Sequence, residues 1–171
     1  MASRGGHGVA LGGGPAVKPL IAVVGGSTCS SEEGEWAATV GRLLAERGVV
    51  LACGGYGGVM EAAARGAKAA GGVTVGILAG SDPSDANPHI DIALATGMGE
   101  MRNALLVRVA QAVIAIGGGW GTLSEIALAQ RIGTPVVGLH DAFASAVDIP
   151  RVSTPAQAVD WALEQAAGRT V

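Results

Sequence analysis

Six short segments of the chain are apolar without interruption, and most of them are rich in β-branched residues. Continuous rather than alternating apolarity is typical of strands that are covered on both faces, as in a parallel sheet between two layers of helices. We therefore predict six buried strands. They are Leu20–Val24, Val49–Ala52, Val73–Leu78, Ile90–Ala95, Val113–Ile116 and Pro135–Leu139.

Stretches with helical spacing of apolar residues separate most of these segments: Glu32–Arg47, Val59–Ala70, Met98–Gln111 and Thr122–Ile132. Capping boxes mark the first helix (Ser30-x-x-Glu33) and a last helix (Thr154-Pro155-x-Gln157). Left-handed glycines are expected where three helices end, at Gly48, Gly71 and Gly133. Alternating strands and helices predict an α/β fold, a single Rossmann-like, doubly wound and mostly parallel sheet formed by residues 18–171.

The composition narrows the classes of partner. Glycine supplies 29 of the 171 residues, and part of this excess lies in residues 1–17, which we expect to form a mobile tail. A net charge of −3 without any Lys/Arg run argues against nucleic acid and anionic membranes. No apolar run approaches the length of a membrane span, and no His/Cys cluster has metal-ligand spacing. Two cysteines in such a chain favour a reducing cytoplasm.

The remaining glycines cluster directly after three of the predicted strands. Because the carboxyl ends of parallel strands share one edge of the sheet, these turns should meet there, where backbone N–H groups and helix N-termini can hold a phosphate. The alternative is that each glycine serves a tight turn. The candidate binding residues from these turns are Gly25, Gly26, Ser27, Gly54, Gly55, Gly57, Gly58, Met60, Gly118, Gly119, Trp120, Gly121 and Thr122.

Several phosphate chemistries do not fit this pattern. A P-loop needs Gly-Lys-Ser/Thr, and a dinucleotide fold needs G-x-G-x-x-G after the first strand with an acid after the second; neither is present. A pyridoxal-phosphate-dependent lysine decarboxylase needs a Schiff-base lysine. Lys18 precedes the first strand and Lys68 lies late in a helix, so both are badly placed for that role.

Two charged residues are candidates for direct chemistry. Arg102 falls in the middle of the apolar stripe of its predicted helix, where a guanidinium needs a carboxylate or phosphate partner, unless its side chain extends out to solvent. Glu125 follows Thr122 by three residues. It either closes a capping box or serves as a carboxylate one turn inside a phosphate-binding helix. Trp120 either stacks on a heterocycle or packs on the helix start.

The segment from Gly117 to Glu125 (GGGWGTLSE) resembles the P-G-G-x-G-T-x-x-E motif of the LOG ("lysine decarboxylase-like") superfamily of Rossmann-like nucleotide-binding proteins. Arg102 matches the arginine of that superfamily's R-K motif, and the resemblance extends through GGYGGVM, from Gly54 to Met60. It implies a homodimer or homotetramer that binds a phosphorylated ligand. In the superfamily's enzymes, cytokinin-activating phosphoribohydrolases, the matching Arg and Glu serve cleavage of the N-glycosidic bond.

Three departures favour a different branch. Gly117 replaces the motif proline, Asn103 replaces the lysine after Arg102, and Glu61 stands where the hydrolases usually have Gly. With these residues, the motifs are more similar to those of molybdenum cofactor carrier proteins, which bind a pterin phosphate without catalysis. We therefore expect a carrier or sensor of a molybdopterin-type cofactor or a purine nucleotide such as AMP, with no cofactor required for the protein's own action. The alternative is a nucleoside 5′-monophosphate phosphoribohydrolase with Arg102 and Glu125 as catalytic residues.

Overall fold

A computed structural model of the protein describes residues 17–139, 143 and 145–169. Its seven-stranded sheet has the order β4-β3-β2-β1-β5-β6-β7, and every pairing is parallel. The strands are β1 Leu20–Gly25, β2 Val50–Cys53, β3 Thr74–Leu78, β4 Ile92–Ala95, β5 Ala112–Ile116, β6 Val136–Leu139 and β7 Arg151–Val152. The helices are α1 Ser31–Glu46, α2 Val59–Ala69, α3 Arg102–Val109, α4 Trp120–Ile132 and α5 Pro155–Ala167. The predicted Rossmann-like α/β class is confirmed.

The strand order reverses at β1, which pairs with β2 on one side and β5 on the other. The connections after β1 and β5 therefore diverge, and a crevice opens at the carboxyl edge between them. Gly25 lies opposite Ile116 in the register, so the glycine turns that follow these two strands are neighbours.

Each face of the sheet carries its own apolar core, as continuous apolar strands require. Along β1, Ile21 and Val23 join one core, and Ala22 and Val24 join the other. The first core packs against α1, α2 and α5, and the second packs against α3 and α4. Burial of both faces accounts for the absence of alternation in the strand sequences.

Helices α1 and α2 approach each other unusually closely. A Cβ on Gly41 of α1 would overlap the carbonyl oxygen of Ala63, and a Cβ on Gly66 of α2 would overlap that of Ala38. Two glycines therefore bring the backbones of these helices into direct contact.

Most of the predicted element boundaries are confirmed. Both capping boxes form, at Ser30 and at Thr154. The three predicted left-handed glycines have φ angles of 73°, 74° and 76° at Gly48, Gly71 and Gly133. The predicted tail lies outside the described residues except for Val17.

Two predicted helix starts are wrong, and one strand was not predicted. The helix expected from Met98 begins as a 3₁₀ turn, Gly99–Met101, and α3 starts only at Arg102, because Gly97 and Gly99 adopt positive φ. Helix α4 starts at Trp120 rather than Thr122. The missed strand, β7, is only two residues long and lacks an apolar run.

Candidate functional site

A cavity of about 550 Å³ lies at the carboxyl edge of the sheet, at the point where the strand order reverses. Its walls come from the turns after β1 and β5, the start of α3 and the first turn of α4. The lining residues are Gly25, Gly26, Ser27, Thr28, Glu33, Tyr56, Met60, Ala79, Glu100, Arg102, Asn103, Gly118, Gly119, Trp120, Gly121, Thr122 and Glu125. Two of the three predicted glycine turns therefore line one cavity, together with both charged candidates.

The turn between β5 and α4 presents backbone rather than side chains to the cavity. Gly117 and Gly118 have φ angles of 52° and 111°, and a Cβ on Gly118 would lie 2.5 Å from that of Thr122. Gly119 caps α4 without any side-chain hydrogen bond. The N–H groups of the first turn of α4 thus keep their capacity to bind an anion, and the helix dipole favours negative charge there.

The interpretation of Thr122 and Glu125 as a capping box is wrong. Because α4 begins at Trp120, Thr122 lies inside the first turn, where its side chain is buried. Glu125 lies one turn further in and lines the cavity instead of capping the helix. The sequence placed these residues correctly at the helix start but could not tell which residue began the helix.

Arg102 is the buried cation of the site, with 8% of its surface exposed. Its Nε and Nη1 atoms have no hydrogen-bond partner, and it makes no ion pair with any described carboxylate. The guanidinium carbon lies 5.8 Å from the centroid of the Tyr56 ring. A buried guanidinium with unsatisfied donors is costly, so this group is suited to an anionic or oxygen-rich ligand.

Gly54 provides the space that Arg102 occupies. A Cβ on Gly54 would lie 2.7 Å from Nη2 of Arg102 and 2.6 Å from Sδ of Met60. Gly54 is thus needed beside the site, although it does not itself line the cavity.

Glu125 is 6% exposed, and burial raises the pKa of its carboxyl from the ordinary 4.5 to about 7. The nearby Arg102 guanidinium opposes this rise in pKa, and the Glu100 carboxylate adds to it. Near neutral pH the Glu125 carboxyl can therefore exist in either protonation state, which is what a proton-transfer group requires.

Six of the residues that line the cavity were not among the predicted site residues: Thr28, Glu33, Tyr56, Ala79, Glu100 and Asn103. The Tyr56 hydroxyl accepts hydrogen bonds from the backbone N–H groups of Ala79 (3.0 Å) and Gly80 (3.1 Å), which fixes its ring beside Arg102. Glu33 and Glu100 contribute two more carboxylates. Glu33 had a sequence signal in its capping box, which indicates a helix start rather than a site, and Tyr56 and Asn103 lay in the segments that carried the family resemblance.

The glycines of the turn after β2 do not line the predicted site, although Tyr56 of the same turn does. Gly55, Gly57 and Gly58 lie behind the wall, where they allow close packing: a Cβ on Gly55 would meet Leu78, and one on Gly57 would lie 3.1 Å from the Ser27 carbonyl. Gly58, at a φ of 64°, leads into α2, whose first N–H donates to Gly26. For these three glycines the tight-turn alternative describes the geometry better.

Trp120 is 85% exposed at the mouth of the cavity, so it does not pack on the helix start. Ser27 and Met60, both candidate binding residues, line the cavity. Glu61 lies in the first turn of α2 and does not line it.

Comparison with known proteins places the chain in a family. The model of the SLOG cluster4 family matches residues 18–163. The chain belongs to the SLOG cluster4 family. A relative, an uncharacterized protein of Archaeoglobus fulgidus, is 43% identical over 144 residues, which cover 84% of this chain and 93% of the relative.

Solved structures agree with the SLOG cluster4 assignment and with the branch suggested by the sequence. The molybdenum cofactor binding protein of Rippkaea orientalis matches with a TM-score of 0.79 and 35% identity, covering 88% of this chain and 98% of its own. The molybdenum cofactor carrier protein of Chlamydomonas reinhardtii matches with a TM-score of 0.77 and 29% identity, covering 90% of this chain and 100% of its own.

The described residues contain neither a membrane-spanning helix nor a cluster of metal ligands. None of the helices described is both long and apolar enough to span a bilayer. Within residues 17–139, 143 and 145–169, no cluster of His, Cys, Asp and Glu has the arrangement of a metal site.

Proposed function

We propose that this protein binds a phosphorylated pterin of the molybdenum cofactor type and acts as its carrier. The observation that carries the proposal is the buried Arg102, whose Nε and Nη1 lack partners beside a cavity of ligand size. Ligand pockets typically measure roughly 300–1,000 Å³. The two similar structures named for molybdenum cofactor binding support the same ligand class.

Different residues bind the phosphate and the ring of the ligand. The phosphate lies on the N–H groups of Gly118–Thr122 at the start of α4, close to Arg102. The ring lies between the β1 turn and the exposed Trp120, which offers an indole face for stacking.

A second candidate function rests on Glu125. A carboxyl whose pKa is raised to about 7 beside an arginine could activate water for cleavage of a nucleoside 5′-monophosphate. Water would attack the ribose C1′, and the N-glycosidic bond would break. The base would leave with a proton, giving free base and ribose 5-phosphate.

Two measurements on the purified full chain separate these functions. Denaturing the protein as isolated should release a fluorescent pterin, in an amount that falls when Arg102 is replaced by Met. Incubation with AMP or N6-modified AMP should release no free base. Release of base that is abolished by Glu125→Ala would overturn the carrier function in favour of hydrolysis. No bound pterin, no turnover and no thermal shift with any phosphorylated ligand would leave only a scaffold with a vestigial site.

We also propose that the protein self-associates, through an apolar stripe on the surface that carries α3. The stripe consists of Met98, Met101, Leu105 and Val109, which have helical spacing and exposed surfaces. Met101 alone is 72% exposed. Contiguous exposed apolar surface of this kind is typical of an interface. Because Glu100 and Arg102 lie beside the stripe and line the cavity, a second copy would cover one rim of the site.

Two free cysteines, one of them buried, are consistent with a cytoplasmic location, which we propose as well.

A further inference from the structure

Asn103 carries a buried acceptor without a donor. Its side chain lines the cavity, 3% of the residue is exposed, and its Oδ1 has no hydrogen-bond partner. It follows Arg102 in the first turn of α3, so the buried side-chain N and O atoms of the described residues that lack a hydrogen-bond partner belong to these two adjacent residues. Leaving a buried amide oxygen unpaired is costly, so a donor is expected when the site is filled.

The hydrogen-bond network fixes which way the amide points. Asn103 Nδ2 donates to Ser124 Oγ at 3.0 Å and to Glu100 Oε2 at 3.4 Å. The Ser124 hydroxyl donates its proton to the Gly121 carbonyl at 2.7 Å, so its oxygen can only accept from the amide. The Glu100 carboxylate also only accepts. Exchanging Oδ1 and Nδ2 would place acceptor against acceptor, so Oδ1 is the atom without a partner.

The charges around the cavity indicate what the missing donor is. Glu33, Glu100 and Glu125 line it together with Asn103, and among the described residues of its lining Arg102 is the one cationic side chain. An ionised phosphate offers only acceptor oxygens, so it satisfies Arg102 and the helix start but cannot satisfy Asn103. The donor that Asn103 needs must therefore come from the rest of the ligand, where a heterocycle offers ring N–H and amino groups.

We propose that Asn103 is a specificity residue whose Oδ1 accepts a hydrogen bond from a ring N–H or amino group of the bound heterocycle. This inference rests on the proposed function and deepens it. The 2-amino-4-oxopyrimidine ring of a pterin carries such donors along one edge, and guanine presents the same edge. A site that pairs a buried polar atom with a ligand donor rejects analogues that lack the donor.

The experiment uses GMP and purine riboside 5′-monophosphate, which share the ribose phosphate but differ in ring donors, because the purine analogue has no N–H on its ring. Binding of each to the full chain is measured by isothermal titration calorimetry. We expect GMP to bind about tenfold more tightly than the purine analogue. Asn103→Leu should reduce this ratio to near one, chiefly by weakening GMP binding. Asn103→Ala provides the same comparison if the Leu variant does not fold.

Ser124→Ala is the matched control, because it removes one partner of Nδ2 but leaves Oδ1 in place, and Ser124 does not line the cavity. It should retain the preference for GMP. Equal loss of preference in Ser124→Ala would show that Asn103 only organises the helix starts, which overturns the proposal. A ratio near one in the wild type, a ratio unchanged in Asn103→Leu, or no binding of either nucleotide would also overturn it. The pterin released from the isolated protein tests the proposed function separately.

Discussion

Replacement of Glu125 by Gln should make the folded protein more stable at alkaline pH while leaving its stability at acidic pH nearly unchanged. The carboxyl is 6% exposed and its pKa is raised from 4.5 to about 7, mainly by burial. Glutamine has nearly the same shape but never ionises. The exchange therefore removes the cost of a buried negative charge and little else.

The sign and size follow from proton linkage. Between pH 4.5 and 7 the unfolded chain has lost the Glu125 proton while the folded chain still holds it, so raising the pH favours unfolding. Below pH 4.5 both states are protonated and the penalty vanishes. A pKa displacement from 4.5 to about 7 corresponds to about 3 kcal/mol, reached in full above pH 7.

Urea unfolding followed by circular dichroism at intervals from pH 4.5 to 8.5 measures this difference directly. The free energy of unfolding of Glu125→Gln minus that of the wild type should rise with pH, by up to about 3 kcal/mol. Glu164→Gln, an exposed carboxylate on α5, removes the same charge away from the cavity and serves as the control. A difference that stays flat, or that falls with pH, would refute the assignment of Glu125 as a buried carboxyl of raised pKa.

Three further predictions concern Arg102, Gly54 beside it, and the apolar stripe that contains Met101. Arg102→Met should keep or raise the melting temperature of the free protein, because each unpaired buried donor costs about 1–3 kcal/mol. The same variant should lose the thermal shift that GMP causes. A melting temperature lower than that of the exposed control Arg108→Met would contradict this prediction. Gly54→Ala should displace the Arg102 guanidinium and weaken GMP binding at least tenfold in calorimetry. Gly119→Ala, whose methyl group meets open space, should retain the wild-type melting temperature. Unchanged GMP affinity in Gly54→Ala would refute the packing argument. Met101→Glu should lower the molar mass in light scattering, and an unchanged mass would place the interface elsewhere.

The sequence was sufficient to predict the fold, because both faces of the sheet are buried. Each main strand is therefore a continuous apolar run, which is easily recognised in the sequence. It failed where geometry depends on single backbone angles. Whether Gly97 and Gly99 sit at positive φ decides where α3 begins, and no residue pattern distinguishes that from a helix starting at Met98. The two-residue β7 carries too little pattern to be seen at all.

Only part of the candidate site could be predicted from the sequence. Arg102 and Glu125 were visible because charged residues stood out against their helices. The glycines after β2 were indistinguishable from Gly119 and Gly121 after β5, since a sequence does not tell whether a missing Cβ faces an open cavity or a neighbouring part of the chain. The unpaired oxygen of Asn103 could not be predicted, because it depends on where the amide's other partners lie.

The backbone contact between α1 and α2 also has a consequence for how a ligand can enter. Gly41 and Gly66 bring the backbones of these helices into contact, so we expect the side of the cavity that carries Glu33 of α1 and Met60 of α2 to move little. We expect any widening of the cavity to occur at the opposite rim, where the 3₁₀ turn Gly99–Met101 joins β4 to α3 through glycines at positive φ. That rim borders the stripe proposed for self-association, so a second copy bound there would also slow the entry and exit of any ligand.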